Sequence, residues 1–146
     1  MKVVVQRVSS ASVTVGKEIT GAIEKGLLLL VGIHEQDDRK SLEWMCNKIL
    51  KLRIFEDEEG KMNKSVQDVE GGLLVVSQFT LYGDAKKGTR PSFIEAARPE
   101  FAEPYYEEMV QYFKEQSSLN IQTGQFGAMM EVELVNDGPV TLILEK

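Results

Sequence analysis

Three short stretches of the chain carry side chains whose types and spacing could do chemistry. The first is Arg7. Side chains alternate along an extended strand, so Val3, Val5 and Arg7 share one face. A guanidinium there either emerges where the strand ends or must find several acceptors, because an unpaired buried charge is costly. Two readings stay open: an exposed strand end, or an arginine fork that bonds backbone carbonyls and braces a neighbouring loop. The second stretch is Ser77-Gln78-Phe79-Thr80-Leu81, where the apolar run Leu73–Val76 gains polar side chains before Gly83. As a strand it would point Ser77 and Phe79 one way and Gln78 and Thr80 the other. Polar groups in that place line a pocket mouth or emerge into solvent. The third is Asn136-Asp137-Gly138-Pro139-Val140-Thr141, in which Asp-Gly between two strand-like runs reads as a hairpin turn. The isomer of the Gly138–Pro139 bond is left open by the sequence.

Several familiar chemistries are missing. His34 is the only histidine, and no HExxH-type cluster offers three zinc ligands. A Ser-His-Asp triad would have to use His34, at the end of an apolar run, and no GxSxG elbow or GK[ST] phosphate loop occurs. His34 reads as a strand-end residue near solvent. Cys46, the lone cysteine, excludes an intramolecular disulfide and occupies an apolar helical position, where it reads as a small core residue. The consecutive carboxylates Glu56, Asp57, Glu58 and Glu59 read as a solvated turn, since neighbours in sequence do not converge easily on a cation.

The elements that must position these groups are mostly strands. Val3–Val8, Ser12–Val15, Glu18–Ile23 and Leu27–Ile33 have strand composition, with a tight hairpin at Gly16-Lys17. Helical spacing begins after Asp37-Asp38, with Leu42, Met45, Cys46, Ile49 and Leu50 on one face. Ile54-Phe55 and Lys61-Met62 bracket the acidic turn, and Leu73–Tyr82 reads as a strand. A second helix is expected from about Glu100 to Gln116, interrupted or started by Pro104. Strands are expected at Ile121–Phe126, Met130–Val135 and Val140–Leu144. The predicted class is α/β: a mixed, strongly curved, barrel-like sheet packed by two main helices. Two helices are too few for a doubly wound nucleotide-binding fold.

Length and composition agree with one ordinary folded unit. With 146 residues, 42% hydrophobic and 27% charged, the chain suits a single domain spanning residues 1–146, without linker or repeat. No apolar stretch approaches the roughly 20 residues of a membrane helix, and Gln6-Arg7 cuts off the first apolar run. A cytoplasmic protein without a membrane partner is expected. The net charge of −6 argues against a general nucleic-acid binder and against DNA as a partner, because phosphate affinity rests on Lys and Arg. An RNA ligand would need a local basic patch.

Gln6-Arg7-Val8, Ser77-Gln78-Phe79-Thr80-Leu81, TGQFGAMM at 123–130 and NDGPVT at 136–141 together resemble the D-aminoacyl-tRNA deacylases, over essentially the whole chain. That resemblance implies the deacylase fold and a cytoplasmic homodimer. Such a dimer hydrolyses the ester of D-aminoacyl-tRNA, and of glycyl-tRNA, without metal or other cofactor. It also implies that the Gly138–Pro139 bond is cis and is lent to the partner's active site, where its carbonyls hold the substrate amino group and exclude L side chains. Arg7 matches the arginine that props this dipeptide. Phe79, Phe126 and Met129 match positions around the adenosine and the mouth of the site, and Ser77, Gln78 and Thr80 match the strand beneath the ester. The rival readings are an editing deacylase for mischarged L-aminoacyl-tRNA and a non-catalytic aminoacyl-tRNA-binding dimer.

Thr80 is the obvious nucleophile candidate, but an internal threonine hydroxyl needs an activating base, and His34 is the only imidazole. Hydrolysis assisted by the ribose 2′-hydroxyl, with backbone N–H groups around Phe79 and Thr80 as the oxyanion site, is the preferred expectation. The segment Asp84–Pro91 supplies Lys86, Lys87 and Arg90 as the local basic patch for tRNA.

Overall fold

The computed structural model describes all residues, Met1–Lys146. The chain runs β1 (Lys2–Val15), β2 (Glu18–Ile23), β3 (Gly26–Gly32), α1 (Arg39–Lys51), the short pair β4 (Phe55–Glu56) and β5 (Met62–Lys64), and β6 (Gly72–Ser77). A 3-10 turn (Phe79–Tyr82), α2 (Pro99–Gln116), β7 (Ile121–Thr123) and β8 (Glu131–Glu145) complete it.

β1 organises the sheet. β3 pairs antiparallel with Lys2–Val8 and β2 with Ala11–Val15, while β8 pairs along almost the whole strand. β6 adds parallel to β3, and β7 adds parallel to β6. The sheet curls until β7 meets β2: a β carbon on Gly21 would stand 2.4 Å from the Thr123 carbonyl oxygen, so only glycine allows this approach. The result is a nearly closed, barrel-like mixed sheet with two helices.

The apolar run of β3 is buried on both sides, as a continuous run requires. Leu27 and Leu29 join Val3, Val5 and Val75 under the helices, whereas Leu28 joins Val8, Val13, Ile23 and Leu74 in a second cluster inside the curl. α1 begins at Asp38, whose carboxylate accepts from the Ser41 N–H (2.8 Å) and hydroxyl (2.9 Å). These bonds hold the Asp38 carboxyl below the usual range. Leu42, Met45, Cys46, Ile49 and Leu50 are all buried.

Five expectations about the elements differ. β1 is one strand rather than two. Its register shifts between Val8 and Ser10, and the inward face passes from the even position Val8 to the odd positions Ala11 and Val13. The strand after Leu73 stops at Ser77 and coils into the 3-10 turn, and the strand after Ile121 stops at Thr123, where Gly124 leads into a turn. Pro104 neither starts nor interrupts α2, which begins at Pro99. Only one backbone bond is lost there, and the buried face of Ala102, Tyr105, Tyr106, Met109, Val110 and Phe113 offsets it. Finally, Asn136–Thr141 is no hairpin: β8 is a single strand that bulges there and continues along β1.

No helix is long and apolar enough to cross a membrane.

Candidate active site

At the end of β6 the Gln78 N–H donates to the Val31 carbonyl (2.7 Å), prolonging the parallel pairing by one residue. The chain then coils, with Leu81 N–H bonding to Gln78 and Gly83 N–H to Thr80. Phe79 and Thr80 open this turn, where backbone N–H groups have no partner within the helix itself. The Gln78 side-chain amide donates to the Thr80 hydroxyl oxygen.

A second wall comes from the turn Gln125–Ala128, closed by Ala128 N–H on the Gln125 carbonyl (3.2 Å), with Gly127 at φ 73°. A third comes from Phe93–Pro99, which Ala97 N–H ties to the Ile33 carbonyl (2.9 Å) at the end of β3. Phe93 meets Phe79 edge-on, with ring centroids 5.3 Å apart. These walls enclose a cavity of about 720 Å³ whose lining is mostly apolar and includes Ser77, Gln78, Phe79, Thr80, Phe126 and Met129. Phe79 and Met129 stand exposed at its rim, Met129 at 92%. Such a volume and lining suit a small, largely apolar group better than a highly charged one. Beneath Phe126, Tyr106 donates its hydroxyl to the Val75 carbonyl (2.7 Å), and burial pushes its ionisation well upward.

Arg7, Gly138 and Pro139 lie elsewhere on the chain. Gln6 pairs with Thr141 and Val8 with Asn136, so Asp137, Gly138, Pro139 and Val140 all stand opposite Arg7 alone. Arg7 is buried, at 5% exposure. Its Nη1 donates to the Ile54 carbonyl (2.7 Å), and its Nε faces the Asp137 carbonyl (3.3 Å) and carboxylate (3.2 Å). Of the two open readings, the fork that braces a loop is the one present. Gly138 has φ 121°, the Gly138–Pro139 bond is cis, and both residues are exposed. Neither lines the cavity of their own chain.

Lys86, Lys87 and Arg90 are exposed on a loop pinched by paired backbone bonds between Asp84 and Ser92 (2.8 and 2.9 Å). That loop leads directly into Phe93. His34 stands outside the cavity lining. Its Nδ1 accepts from the Gln36 N–H (3.1 Å), and its Nε2 faces Glu95 (3.3 Å). Cys46 is buried in the core, which pushes its thiol up to about 12. The acidic turn joins β4 to β5, where Asp57 accepts from the Asn63 amide and the Lys61 and Glu59 N–H groups.

Sequence reasoning missed the third wall. Phe93-Ile94, an apolar pair inside a polar loop, was the available signal for part of it. Arg98 and Ala102 left no local signal.

The sequence profile of the D-Tyr-tRNA(Tyr) deacylase family matches residues 4–145. A D-aminoacyl-tRNA deacylase of Chloroherpeton thalassium is 63% identical over 99% of this chain and 95% of its own. One from Exiguobacterium sibiricum is 58% identical over the full length of both. The chain belongs to the D-aminoacyl-tRNA deacylases. Members of this family are hydrolases, and two solved structures share the fold. One, titled c-Myc DNA Unwinding Element Binding Protein, is 48% identical with a TM-score of 0.95, covering 100% of this chain and 99% of its own. The other is described as a probable eukaryotic D-amino acid tRNA deacylase. It matches at 0.82 with 16% identity over 98% of this chain and 97% of its own, a likeness of fold alone.

Proposed function

We propose that this protein hydrolyses the ester of D-aminoacyl-tRNA and of glycyl-tRNA, releasing tRNA and the free amino acid, and that it does so as a cytoplasmic homodimer. The observation that carries the reading is a division of the site. The cavity holding Ser77, Gln78, Phe79 and Thr80 lacks Gly138 and Pro139, while the same chain presents that dipeptide outward on a bulge braced by the buried Arg7. A second copy can supply to the cavity what the first does not. In the dimer, the carbonyls of Gly138 and Pro139 take the substrate amino group, and an L side chain collides with them where a D side chain or a hydrogen does not.

Adenosine fits against Phe79, Phe126 and Met129. Water then attacks the ester carbonyl carbon, oriented by the neighbouring ribose 2′-hydroxyl. The negative charge forming on the carbonyl oxygen meets the N–H groups of Phe79 and Thr80, each such donor contributing about 2.7–4 kcal/mol to barrier lowering. Collapse of the tetrahedral intermediate breaks the bond to the ribose 3′-oxygen, which leaves with a proton. The Thr80 hydroxyl stays a hydrogen-bonding group, since its side-chain partner is the Gln78 amide and not a base. Lys86, Lys87 and Arg90 contact acceptor-end phosphates.

Single-turnover deacylation of D-tyrosyl-tRNA beside L-tyrosyl-tRNA tests this reading. Rapid loss of the D ester alone is expected. Equal loss of both would point to an editing enzyme of different selectivity, and binding without loss of either to an aminoacyl-tRNA-binding dimer.

A further inference from the structure

Among the residues that line the cavity, Arg98 is the only charged one. It sits in the third wall, at the N-cap of α2, with its carbonyl accepting from Phe101 and Ala102. Its side chain does not cap the helix, and it makes no ion pair with any carboxylate, unlike Arg7 and Arg39. Arg98 is exposed, so no burial cost demands a partner. Arg98 thus brings an unpaired positive charge to the lining of a mostly apolar and otherwise neutral cavity, where it is poised for an anion that arrives with the ligand.

Resting on the reading that this cavity takes the aminoacyl-adenosine end of tRNA, we propose that Arg98 binds the phosphodiester on the 5′ side of the terminal adenosine. An aminoacyl-adenosine is neutral or cationic except where its side chain is acidic. The phosphodiester is the one anion present in every substrate and directly attached to the nucleoside. A single Arg-phosphate contact here would hold the nucleotide equally in the bound state and through the reaction, anchoring it at the cavity that contains Phe79 and Thr80. It would act alongside Lys86, Lys87 and Arg90, which reach the cavity only through the loop that ends at Phe93. The charge of −6 would then be compatible with RNA binding, because few phosphates need to be neutralised.

The test compares D-tyrosyl-tRNA with D-tyrosyl-adenosine, which carries the ester and lacks the phosphate. For Arg98→Ala, efficiency on the tRNA relative to the adenosine ester should fall about tenfold, the loss lying in KM and not in kcat. The slope of log kcat/KM against log salt should become shallower by about 0.7, the value for one phosphate on a single strand. Arg98→Lys should recover most of the loss. An equal loss on both esters would overturn the assignment, as would a loss confined to D-aspartyl-tRNA, which would make Arg98 a side-chain reader. Wild-type cleavage of both esters with Arg98→Ala unmoved sinks this inference alone. Failure of the wild type to cleave either ester sinks the deacylase reading and this inference with it.

Discussion

The Arg7 guanidinium occupies the space that a side chain at Gly138 would need. A β carbon built on Gly138 would stand 2.9 Å from Arg7 Nη2, 2.8 Å from Val140 Cγ2 and 3.1 Å from the Val140 nitrogen. The same glycine has φ 121°, a backbone conformation that L side chains rarely adopt. Space and backbone conformation thus each demand glycine, with Arg7 and Val140 filling the space.

Gly138→Ala should therefore shift the bulge without unfolding the sheet. The expected stability cost is about 1–3 kcal/mol, the usual range for one strained residue, with the far-ultraviolet circular dichroism retained. Turnover of D-tyrosyl-tRNA should fall at least a hundredfold. A variant that keeps both shape and turnover would show that the dipeptide does not hold substrate.

Arg7 itself separates bracing from charge. Arg7→Lys keeps one cationic nitrogen but cannot reach the Ile54 carbonyl and Asp137 together, as Nη1 and Nε do now. Leaving a buried acceptor unpaired costs about 1–3 kcal/mol, so the urea midpoint should drop. Turnover should drop further than stability explains. Full activity in Arg7→Lys, measured below its unfolding midpoint, would mean that positive charge alone suffices there.

How much of this was legible before the structure depends on the length scale of the cause. The α1 face from Leu42 to Leu50 and the Gly16-Lys17 hairpin were readable because helix period and turn chemistry are local. The bulge at Asp137–Val140 was not. Asp-Gly favours a turn wherever it occurs, and only pairing with both ends of β1 converts that turn into a detour within one strand. Likewise Phe79 and Thr80 looked like strand residues, until the loss of a parallel neighbour beyond Val31 let the chain coil. Six of the expected site residues meet in one cavity, whereas Arg7, Gly138 and Pro139 gather at the bulge and the basic loop stands apart.

Cys46 provides a test of the core that is independent of function. Burial raises its thiol from the ordinary 9.0 to about 12, so the native protein holds it protonated. At pH 8 its labelling by a thiol reagent should be more than roughly a thousandfold slower than that of a free cysteine, because the thiolate is the reactive form. The unfolded thiol ionises first, so this group lowers stability as pH rises from about 9 towards about 12. Fast labelling under native conditions would mean that α1 opens locally.

Thr80→Ala decides between two accounts of the chemistry. A threonine nucleophile needs a base within hydrogen-bond reach. The side-chain partner of Thr80 is the Gln78 amide, a donor, and the only imidazole is engaged with Glu95 and the Gln36 backbone. Removing the hydroxyl leaves the N–H groups of Phe79 and Thr80 in place and takes nothing from the substrate's own 2′-hydroxyl. Single-turnover rates on D-tyrosyl-tRNA should stay within about tenfold of wild type, a change of roughly 1.4 kcal/mol or less in the barrier. Replacing the ribose 2′-hydroxyl of the terminal adenosine by hydrogen should cost far more. A thousandfold loss in Thr80→Ala, with the 2′-deoxy substrate still cleaved, would reinstate the threonine as nucleophile.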